Sequence, residues 1–344
     1  MINFKKIKKP LLIAEISANH NGSLKKAKQL ITEANKFGAD LVKIQTYEAR
    51  NITIKSKRKE FKIKDGIWKN QYLWDLYTKG ATPLNWQKKL FDHAKNKKIN
   101  LFSSPFDEEC VDILENCKCP IYKIASFEMN DFPLIKRISK TKKPVIISTG
   151  LSNLDEIKNT VNYAKKNGIK QIAILYCVSS YPAKNSDFNL NNITILKNIF
   201  KDCVIGLSDH SKDNDICKIA ISLGAKIIEK HIALSDQRKG LDIQFSIKGN
   251  EIKKYKSDML KSYSLIGKKY FFRSKSETKN KINRRSIYSI KKIQISEKFT
   301  KDNIKLIRPA NGLSPENYFK IIGKKAKVQI SAGIPIRKKF IKKF

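Results

Sequence analysis

Short apolar, β-branched runs alternate with longer polar stretches of helical period through most of the first 268 residues. Runs of this kind predict buried strands. They lie at 11–17, 41–45, 100–104, 122–126, 145–149, 172–177, 204–208 and 226–231. Helices are predicted between them, among others at 24–37, 86–97, 154–167 and 215–223.

This alternation predicts the fold class. Strands separated by helices pair in parallel, with the helices as crossovers. Eight such units over roughly 250 residues have the size of a TIM barrel, so we expect an α/β fold with a (β/α)8 barrel at 1–268. A doubly wound sheet is the alternative, but it would carry a glycine-rich turn after its first strand. Residues 18–22 read Ala-Asn-His-Asn-Gly instead.

The connection between the second and third predicted strands is unusually long. Residues 46–85 separate the second strand from the helix at 86–97 and include Trp68, Tyr72, Trp74 and Tyr77. Long excursions in compact domains are usually functional loops. Because this one leaves the carboxyl end of a barrel strand, we expect it to form a lid over the substrate.

The barrel pattern stops near residue 268. Residues 269–283 are charged, lack an apolar period and are predicted to be a linker. Residues 284–344 contain short apolar runs separated by turns and are predicted to be a small second domain.

The chain is strongly basic, with 71 Lys and Arg against 31 Asp and Glu and a formal charge of +40. Such a charge can indicate nucleic-acid binding. Here the lysines are spread along the chain and accompany an excess of Asn and Ile, as composition bias would produce. We therefore expect no specific nucleic-acid partner, although the charge favours the arrival of anionic substrates.

The compartment is predicted from the chain start and the cysteines. The first apolar run is short, contains Glu15 and lacks a cleavage site, so it predicts a strand and not a signal peptide. No apolar run approaches the roughly 18 residues of a membrane helix. We expect a cytoplasmic protein without membrane contact, whose six cysteines are free thiols.

Polar side chains occupy the ends of the predicted strands. The carboxyl ends of TIM-barrel strands carry the active site, whereas a purely structural barrel would place Val, Ile and Leu there. The polar residues at or just after these ends are Glu15, Lys43, Gln45, Ser104, Lys123, Ser126, Glu128, Ser148, Ser208, His210 and His231.

His210 and His231 follow neighbouring strands. Adjacent strands lie about 5 Å apart, so two imidazoles at their ends can reach one metal ion. Mn, Co, Zn or Mg would suit such a site and would keep positions open for a substrate carbonyl. The alternative is one core histidine and one surface histidine.

Lys43 and Lys123 lie inside predicted strands, where a buried ammonium group is costly unless it is paired. With the nearby hydroxyls they predict a site for a small phosphate-bearing dianion. Lysines that extend their ammonium groups into water are the alternative. Glu15, Glu128 and Asp242 would supply carboxylates for sugar hydroxyls or for proton transfer. These residue types indicate lyase or carbon–carbon bond chemistry on a phosphorylated or sugar-like substrate.

Several motifs resemble the sialic acid synthase family. They occur in order and at matching spacing at 14–20, 42–46, 103–106, 122–128, 148–150, 206–210 and 229–231. Residues 308–312 resemble the C-terminal antifreeze-like (SAF, β-clip) domain of that family, which assigns 284–344 to this domain. Within the family, segments 17–20, 61–77, 125–128 and 285–288 are most similar to the pseudaminic acid branch.

The resemblance implies a transferase that condenses phosphoenolpyruvate with 2,4-diacetamido-2,4,6-trideoxy-altropyranose and releases phosphate. It implies that His210 and His231 bind a divalent metal supported by Glu15, and that Glu15 or Glu128 is the base. The implied phosphoenolpyruvate ligands are Lys43, Ser104, Lys123, Ser126, Ser148 and Ser208. The implied sugar ligands are Gln45, Glu128, Tyr181, Asp242 and Arg308.

Arg308 would come from the partner subunit of a domain-swapped homodimer.

The same residues are compatible with other functions. An N-acetylneuraminate or legionaminate synthase would share the same machinery, while a Schiff-base aldolase would use Lys123 or Lys43 as its nucleophile. A basic nucleic-acid-binding barrel is the alternative that is not an enzyme.

Overall fold

The predicted strands close into a barrel in the computed structural model, which describes residues 3–268 and 270–344. Each strand pairs in parallel with the next, and β1 pairs with β8 to close the ring. The strands within residues 3–268 that form the ring are β1 Leu11–Glu15, β2 Leu41–Thr46, β3 Leu101–Pro105, β4 Tyr122–Ile124, β5 Val145–Ser148, β6 Ile172–Cys177, β7 Val204–Asp209 and β8 Ile227–Ala233. The predicted (β/α)8 barrel is confirmed.

Helices surround this ring. They are α1 Leu24–Lys36, α2 Leu73–Gly80, α3 Gln87–Asn96, α4 Glu108–Asn116, α5 Phe132–Lys140, α6 Leu154–Lys166, α7 Asn191–Ile199, α8 Asn214–Ser222 and α9 Asn250–Ile266. In α1, the Ser23 side chain accepts a hydrogen bond from the Lys26 amide and caps the start. The buried face of α1 has the spacing of one helical stripe and consists of Ala27, Leu30, Ile31 and Ala34.

The two faces of a barrel strand carry different kinds of side chain. Val42 and Ile44 of β2 are completely buried in the apolar core, while Lys43 between them points to the opposite side of the strand. This alternation packs apolar side chains against the helices and leaves the barrel mouth to polar groups.

Two connections of the barrel have their own structure. Between β2 and β3 the chain forms short 3₁₀ turns and α2, and an isolated bridge joins Lys62 to Tyr72. After β8 the chain forms a 3₁₀ turn at Ile243–Phe245 and the short strand β9, Ile247–Lys248, which pairs with the end of β8. The predicted excursion after β2 is therefore an ordered segment and not a structureless loop.

The chain divides into two compact units at Gly267 and Lys268. In the second unit, β10 Ser286–Ser289 pairs antiparallel with β11 Ile304–Ile307, and the helices are α10 Lys275–Lys279 and α11 Tyr318–Ile321. Its core is separate from that of the barrel and includes Ile287, Phe299, Ile304, Ile321 and Ile336.

The predicted linker at 269–283 is partly helical. Lys269 lies outside the described residues, but α10 begins with a capping box formed by Ser274 and Glu277. A charged segment without apolar period can thus form a short capped helix. None of the helices within the described ranges is long and apolar enough to cross a bilayer.

Candidate active site at the barrel mouth

Lys43 is the centre of a buried charge cluster at the carboxyl end of the barrel. Its Nζ lies 2.6 Å from Glu15 Oε2 and 3.0 Å from Glu229 Oε1. Lys123 Nζ lies 3.9 Å from the same Glu229 oxygen. The parallel register sets Glu15 beside Lys43, which brings the cluster together from β1, β2, β4 and β8.

Burial changes the proton affinities in this cluster. It raises the pKa of Glu15 to about 7, although Lys43 opposes the shift. It also lowers the pKa of Lys123 to about 8, against the attraction of Glu229. Burial would raise the pKa of Glu229 too, but Lys123 and Lys43 outweigh it and lower the value to about 2. Glu229 is therefore a fixed anion, whereas Glu15 and Lys123 hold protons that neutral pH can move.

Hydroxyl groups surround the lysines. Ser104 Oγ donates to the Lys123 carbonyl oxygen at 2.9 Å, and Ser208 Oγ donates to Glu229 Oε1 at 3.2 Å. Ser126 Oγ lies 2.9 Å from Ser179 Oγ. Ser148 Oγ is buried and has no hydrogen-bond partner among the described residues. Since a buried hydroxyl without a partner is unfavourable, Ser148 is available to a ligand.

The two predicted metal ligands lie side by side, with ring centroids 5.3 Å apart. His210 Nδ1 is 3.1 Å from the Val178 carbonyl oxygen. Because a carbonyl oxygen only accepts hydrogen bonds, Nδ1 must carry the proton, and in the neutral ring the lone pair is then on Nε2. His231 Nδ1 is buried without a hydrogen-bond partner among the described residues, 3.8 Å from Asp242 Oδ2. Burial lowers the pKa of His231 well below its ordinary value, so the ring is neutral.

These two imidazoles fit a divalent metal. An unpartnered buried nitrogen is a ready ligand, and neutral imidazole is the form that binds metals. Within the described ranges, no group of three or more His, Cys, Asp or Glu side chains is arranged to hold an ion. Two protein nitrogens would leave the remaining positions to water and substrate. The structure pairs Glu15 with Lys43, and Asp242 is the carboxylate beside His231.

Four of the predicted sugar ligands, Gln45, Glu128, Tyr181 and Asp242, lie near the same mouth. Gln45 Nε2 donates to Ser17 Oγ at 3.1 Å, and the Ala18 amide donates to Asp242 Oδ2 at 3.2 Å. The Tyr181 ring lies 4.5 Å from that of His210. Glu128 Oε2 is buried without a partner among the described residues, and burial raises the pKa of Glu128 to about 7.

The lid aromatics take different places. Trp68 lies 5.7 Å from the Tyr181 ring, and Tyr77 lies 6.2 Å from the ring of buried Tyr47. The Lys57 Nζ atom instead lies over the Tyr72 ring, 4.2 Å from its centroid, in a cation–π contact. Trp74 lines a separate hollow with Arg50 and Pro83. Trp68 therefore contacts a residue of the mouth, whereas Tyr72 contacts its own segment and Trp74 faces a different hollow.

The sequence-based site omitted Glu229 and Phe245. Glu229 contacts both lysines, and Phe245 packs on His231 at a centroid distance of 4.9 Å. The position of Glu229, two residues before His231 on one strand, places both on the same face and could have identified it. No sequence pattern pointed to Phe245 as a site residue, because it lies in a 3₁₀ turn after β8 and not at a strand end.

Arg308 belongs to the second unit. It directly follows β11, and its side chain is exposed.

The fold and the mouth define a (β/α)8 barrel enzyme. Residues 30–270 match the NeuB family, and residues 284–342 match the SAF domain. The chain belongs to the NeuB family. The predicted family and the predicted SAF domain are confirmed.

Characterised relatives cover nearly the whole chain. It is 39% identical over 331 residues to the pseudaminic acid synthase of Campylobacter jejuni subsp. jejuni serotype O:2, covering 96% of each chain. It is 37% identical over 328 residues to the pseudaminic acid synthase of Helicobacter pylori, covering 95% of this chain and 96% of that protein. The N,N'-diacetyllegionaminic acid synthase of the same Campylobacter strain is 38% identical over 322 residues, covering 92% and 96%.

A solved structure shares the architecture. The N-acetylneuraminic acid (sialic acid) synthetase of Leptospira borgpetersenii serovar Hardjo-bovis superposes with a TM-score of 0.71 at 28% sequence identity. The match covers 81% of this chain and 94% of that one.

Proposed function

We propose that this chain is a pseudaminic acid synthase. It joins phosphoenolpyruvate to the open-chain aldehyde of 2,4-diacetamido-2,4,6-trideoxy-altropyranose and releases phosphate. The observation that carries the proposal is the buried Lys43–Glu229–Lys123 cluster in the mouth of a NeuB-family barrel. The near-full-length similarity to two pseudaminic acid synthases selects the branch.

The lysines bind phosphoenolpyruvate. Lys43 is already neutralised by Glu15 and Glu229, whereas Lys123 donates to the Ile124 carbonyl oxygen at 3.2 Å and has a longer ionic contact of 3.9 Å to Glu229. An incoming dianion would therefore gain most from Lys123, and its charge would raise the pKa of that group again. The free hydroxyl of Ser148 supplies a further donor. Ser104, Ser126 and Ser208 line the same mouth.

His210 and His231 would hold the divalent metal, Mn, Co, Mg or Zn. A bound metal supplies Lewis-acid polarisation of the aldehyde oxygen. The chain's own part is to orient His210 through the Val178 carbonyl oxygen and to keep the His231 ring neutral through burial. Tyr181 and Phe245 shield the two rings from water.

The reaction forms one carbon–carbon bond and breaks one carbon–oxygen bond. C3 of phosphoenolpyruvate attacks the aldehyde carbon, the aldehyde oxygen takes up a proton to become a hydroxyl, and a cation remains at C2. Water adds at C2 and gives up one proton to a carboxylate. The tetrahedral intermediate then collapses to the ketone, and its C2 hydroxyl proton leaves with phosphate as the C–O bond breaks. Orientation of both substrates by the barrel is itself a large part of the rate enhancement.

Glu128 is the better base. Both Glu15 and Glu128 have a pKa of about 7, so either can accept a proton near neutral pH. Glu15 is held by Lys43 at 2.6 Å and by the Ser17 amide at 2.6 Å. Glu128 Oε2 has no hydrogen-bond partner among the described residues and can bind a water.

The test is phosphate release from phosphoenolpyruvate with three acceptors. We expect the highest kcat/KM with the altro-configured diacetamido sugar and lower values with its manno isomer and with N-acetylmannosamine. One hydroxyl in an apolar pocket changes kcat/KM by only about 10²-fold, so larger discrimination requires recognition of ring configuration as well. A preference for either other acceptor would move the chain to the legionaminate or neuraminate branch.

A Schiff-base aldolase is the second candidate, favoured by the lowered pKa of Lys123. Such an enzyme would be inactivated by borohydride in the presence of substrate and would ignore EDTA. We expect the opposite result in both treatments.

We also propose a domain-swapped homodimer in which Arg308 reaches the sugar in the partner's barrel. The support is the family resemblance of residues 308–312 and the exposure of Arg308 after β11.

A further inference from the structure

A second buried charge cluster lies behind the two histidines, on the outer side of the barrel wall. Lys230 of β8 and Asp209 of β7 are 1% and 0% exposed, and their Nζ and Oδ2 atoms are 3.1 Å apart. Tyr255 of α9 donates its hydroxyl to the same Asp209 oxygen at 2.6 Å. None of these side chains takes part in the reaction described above, because they point away from the mouth.

The cluster includes groups of both residues that flank His210 in the sequence. Asp209 precedes His210, and Ser211 follows it. Lys230 Nζ donates both to Asp209 and to the Ser211 carbonyl oxygen. The Ser211 amide in turn donates to Asp209 Oδ1 at 2.8 Å. Lys230 itself is the residue before His231, so one ammonium group joins the backbone segments that carry both histidines.

The ladder between β7 and β8 does not extend to His210, whereas His231 is paired with Glu15 of β1. The ladder between β7 and β8 ends with the pair Asp209 and Lys230, and β7 itself ends at Asp209. His210 lies one residue beyond the last ladder pair, opposite His231 on the longer β8. Besides the Ala183 amide, which donates to the His210 carbonyl oxygen at 3.0 Å, the side chains that hold the end of β7 against β8 contribute to the separation of the two imidazoles.

A buried ion pair of this kind is not expected to contribute much to the stability of the fold. Desolvation of two buried charges usually cancels their attraction, and apolar replacements of similar volume are often as stable. Fixing the register of packed elements is the better supported role of buried ionic groups. Residues that orient metal ligands from behind typically change metal affinity 10- to 100-fold when they are replaced.

We propose that Asp209, Lys230 and Tyr255 are positioning residues that set the spacing of His210 and His231 for the divalent metal. The inference rests on the proposed metal site. It assigns to the outer face of the barrel a role in metal binding, in addition to the residues in the mouth.

The test compares Mn²⁺ dissociation constants of full-length variants, measured by electron paramagnetic resonance. The double variant Asp209→Asn/Lys230→Met removes both charges together and so leaves no uncompensated buried charge. We expect its Mn²⁺ affinity to fall about 10- to 100-fold, while the unfolding temperature without metal stays near that of the wild type. Tyr255→Phe keeps the ion pair and should weaken Mn²⁺ binding less.

The next residue of the same helix provides a matched control. Lys256 binds Asp40 and the Pro10 carbonyl oxygen, 3.1 Å away, at the amino end of the barrel. Lys256→Met therefore removes an ion pair between α9 and the barrel without touching the histidine segments. Its Mn²⁺ affinity should equal that of the wild type.

The outcomes separate the proposals. Unchanged Mn²⁺ affinity in the double variant and in Tyr255→Phe would overturn the positioning role, as would an equal loss in Lys256→Met. If the wild type binds Mn²⁺ no better than His231→Ala, the metal site fails and the positioning role fails with it. Failure of the acceptor assay alone, with the expected Mn²⁺ losses, would reject the proposed substrate and support the positioning role.

Discussion

Glu15 and Glu128 have similar pKa values but differ in their contacts, and this difference suits them to different roles. Burial raises the pKa of both to about 7. Glu15 is bound to Lys43, so its loss would free a buried ammonium group that we propose as a ligand of phosphoenolpyruvate. Glu128 has an oxygen without a partner among the described residues and so can act on water.

We predict different kinetic consequences for the two carboxylates. A base works in its ionised form, so kcat should rise with pH through about 7 in the wild type. Glu128→Gln should lose this rising limb and about 10²-fold or more in kcat. Glu15→Gln should instead lower KM for phosphoenolpyruvate, because it removes one of the two carboxylates that neutralise Lys43. Steady-state kinetics between pH 5.5 and 9 would decide, and an intact rising limb in Glu128→Gln would exclude it as the base.

The histidines yield a second prediction at this scale. His210→Ala and His231→Ala should each lose metal-dependent activity, because each removes one of the two imidazoles that lie side by side at the mouth. His93→Ala, on α3, is the control and should keep activity. The measurement is phosphate release after EDTA treatment and readdition of Mn²⁺. Full turnover by metal-stripped wild type would contradict the metal role.

At the scale of elements, the lid divides into a part that reaches the mouth and a part that packs. Trp68 lies against Tyr181, which itself lies against His210. Trp74 of α2 lines a hollow away from these rings. An aromatic surface beside the proposed sugar ligands suits a methyl or acetamido group better than a hydroxyl.

We predict that Trp68→Ala lowers kcat/KM for the diacetamido 6-deoxy acceptor by about 10-fold or more, the size of a lost apolar contact. The KM for phosphoenolpyruvate should change little, because Lys43 and Lys123 remain. Trp74→Ala serves as the control from the same segment. Equal losses in both variants would show that the lid matters only through its packing.

At the scale of the whole molecule, the proposed domain swap makes one active site from two chains. Arg308→Ala and His210→Ala homodimers would then both be inactive. Mixed dimers would contain one intact site and one doubly defective site.

We therefore predict recovery when the two inactive variants are mixed and allowed to exchange subunits. Random exchange makes half of the dimers mixed, so activity should reach about one quarter of the wild-type value. The measurement is phosphate release before and after exchange, with exchange shown by differently tagged subunits. Absence of recovery after proven exchange would exclude the swap.

The sequence by itself determined the barrel and the location of its site. Apolar runs spaced by amphipathic helices leave few alternatives to parallel pairing, and each run was found within a few residues of its predicted place. The polar residues at the strand ends identified the mouth, because every barrel strand ends on the same side.

The tertiary structure alone decided which of these groups touch. Contacts between side chains of β1, β2, β4 and β8 depend on the register and tilt of strands far apart in the chain, which a local pattern does not contain. Glu229 therefore became visible as the partner of Lys43 and Lys123 only in the closed barrel. The raised pKa of Glu128 and the lowered pKa of Lys123 also follow from burial, which exists only once the chain has folded around them.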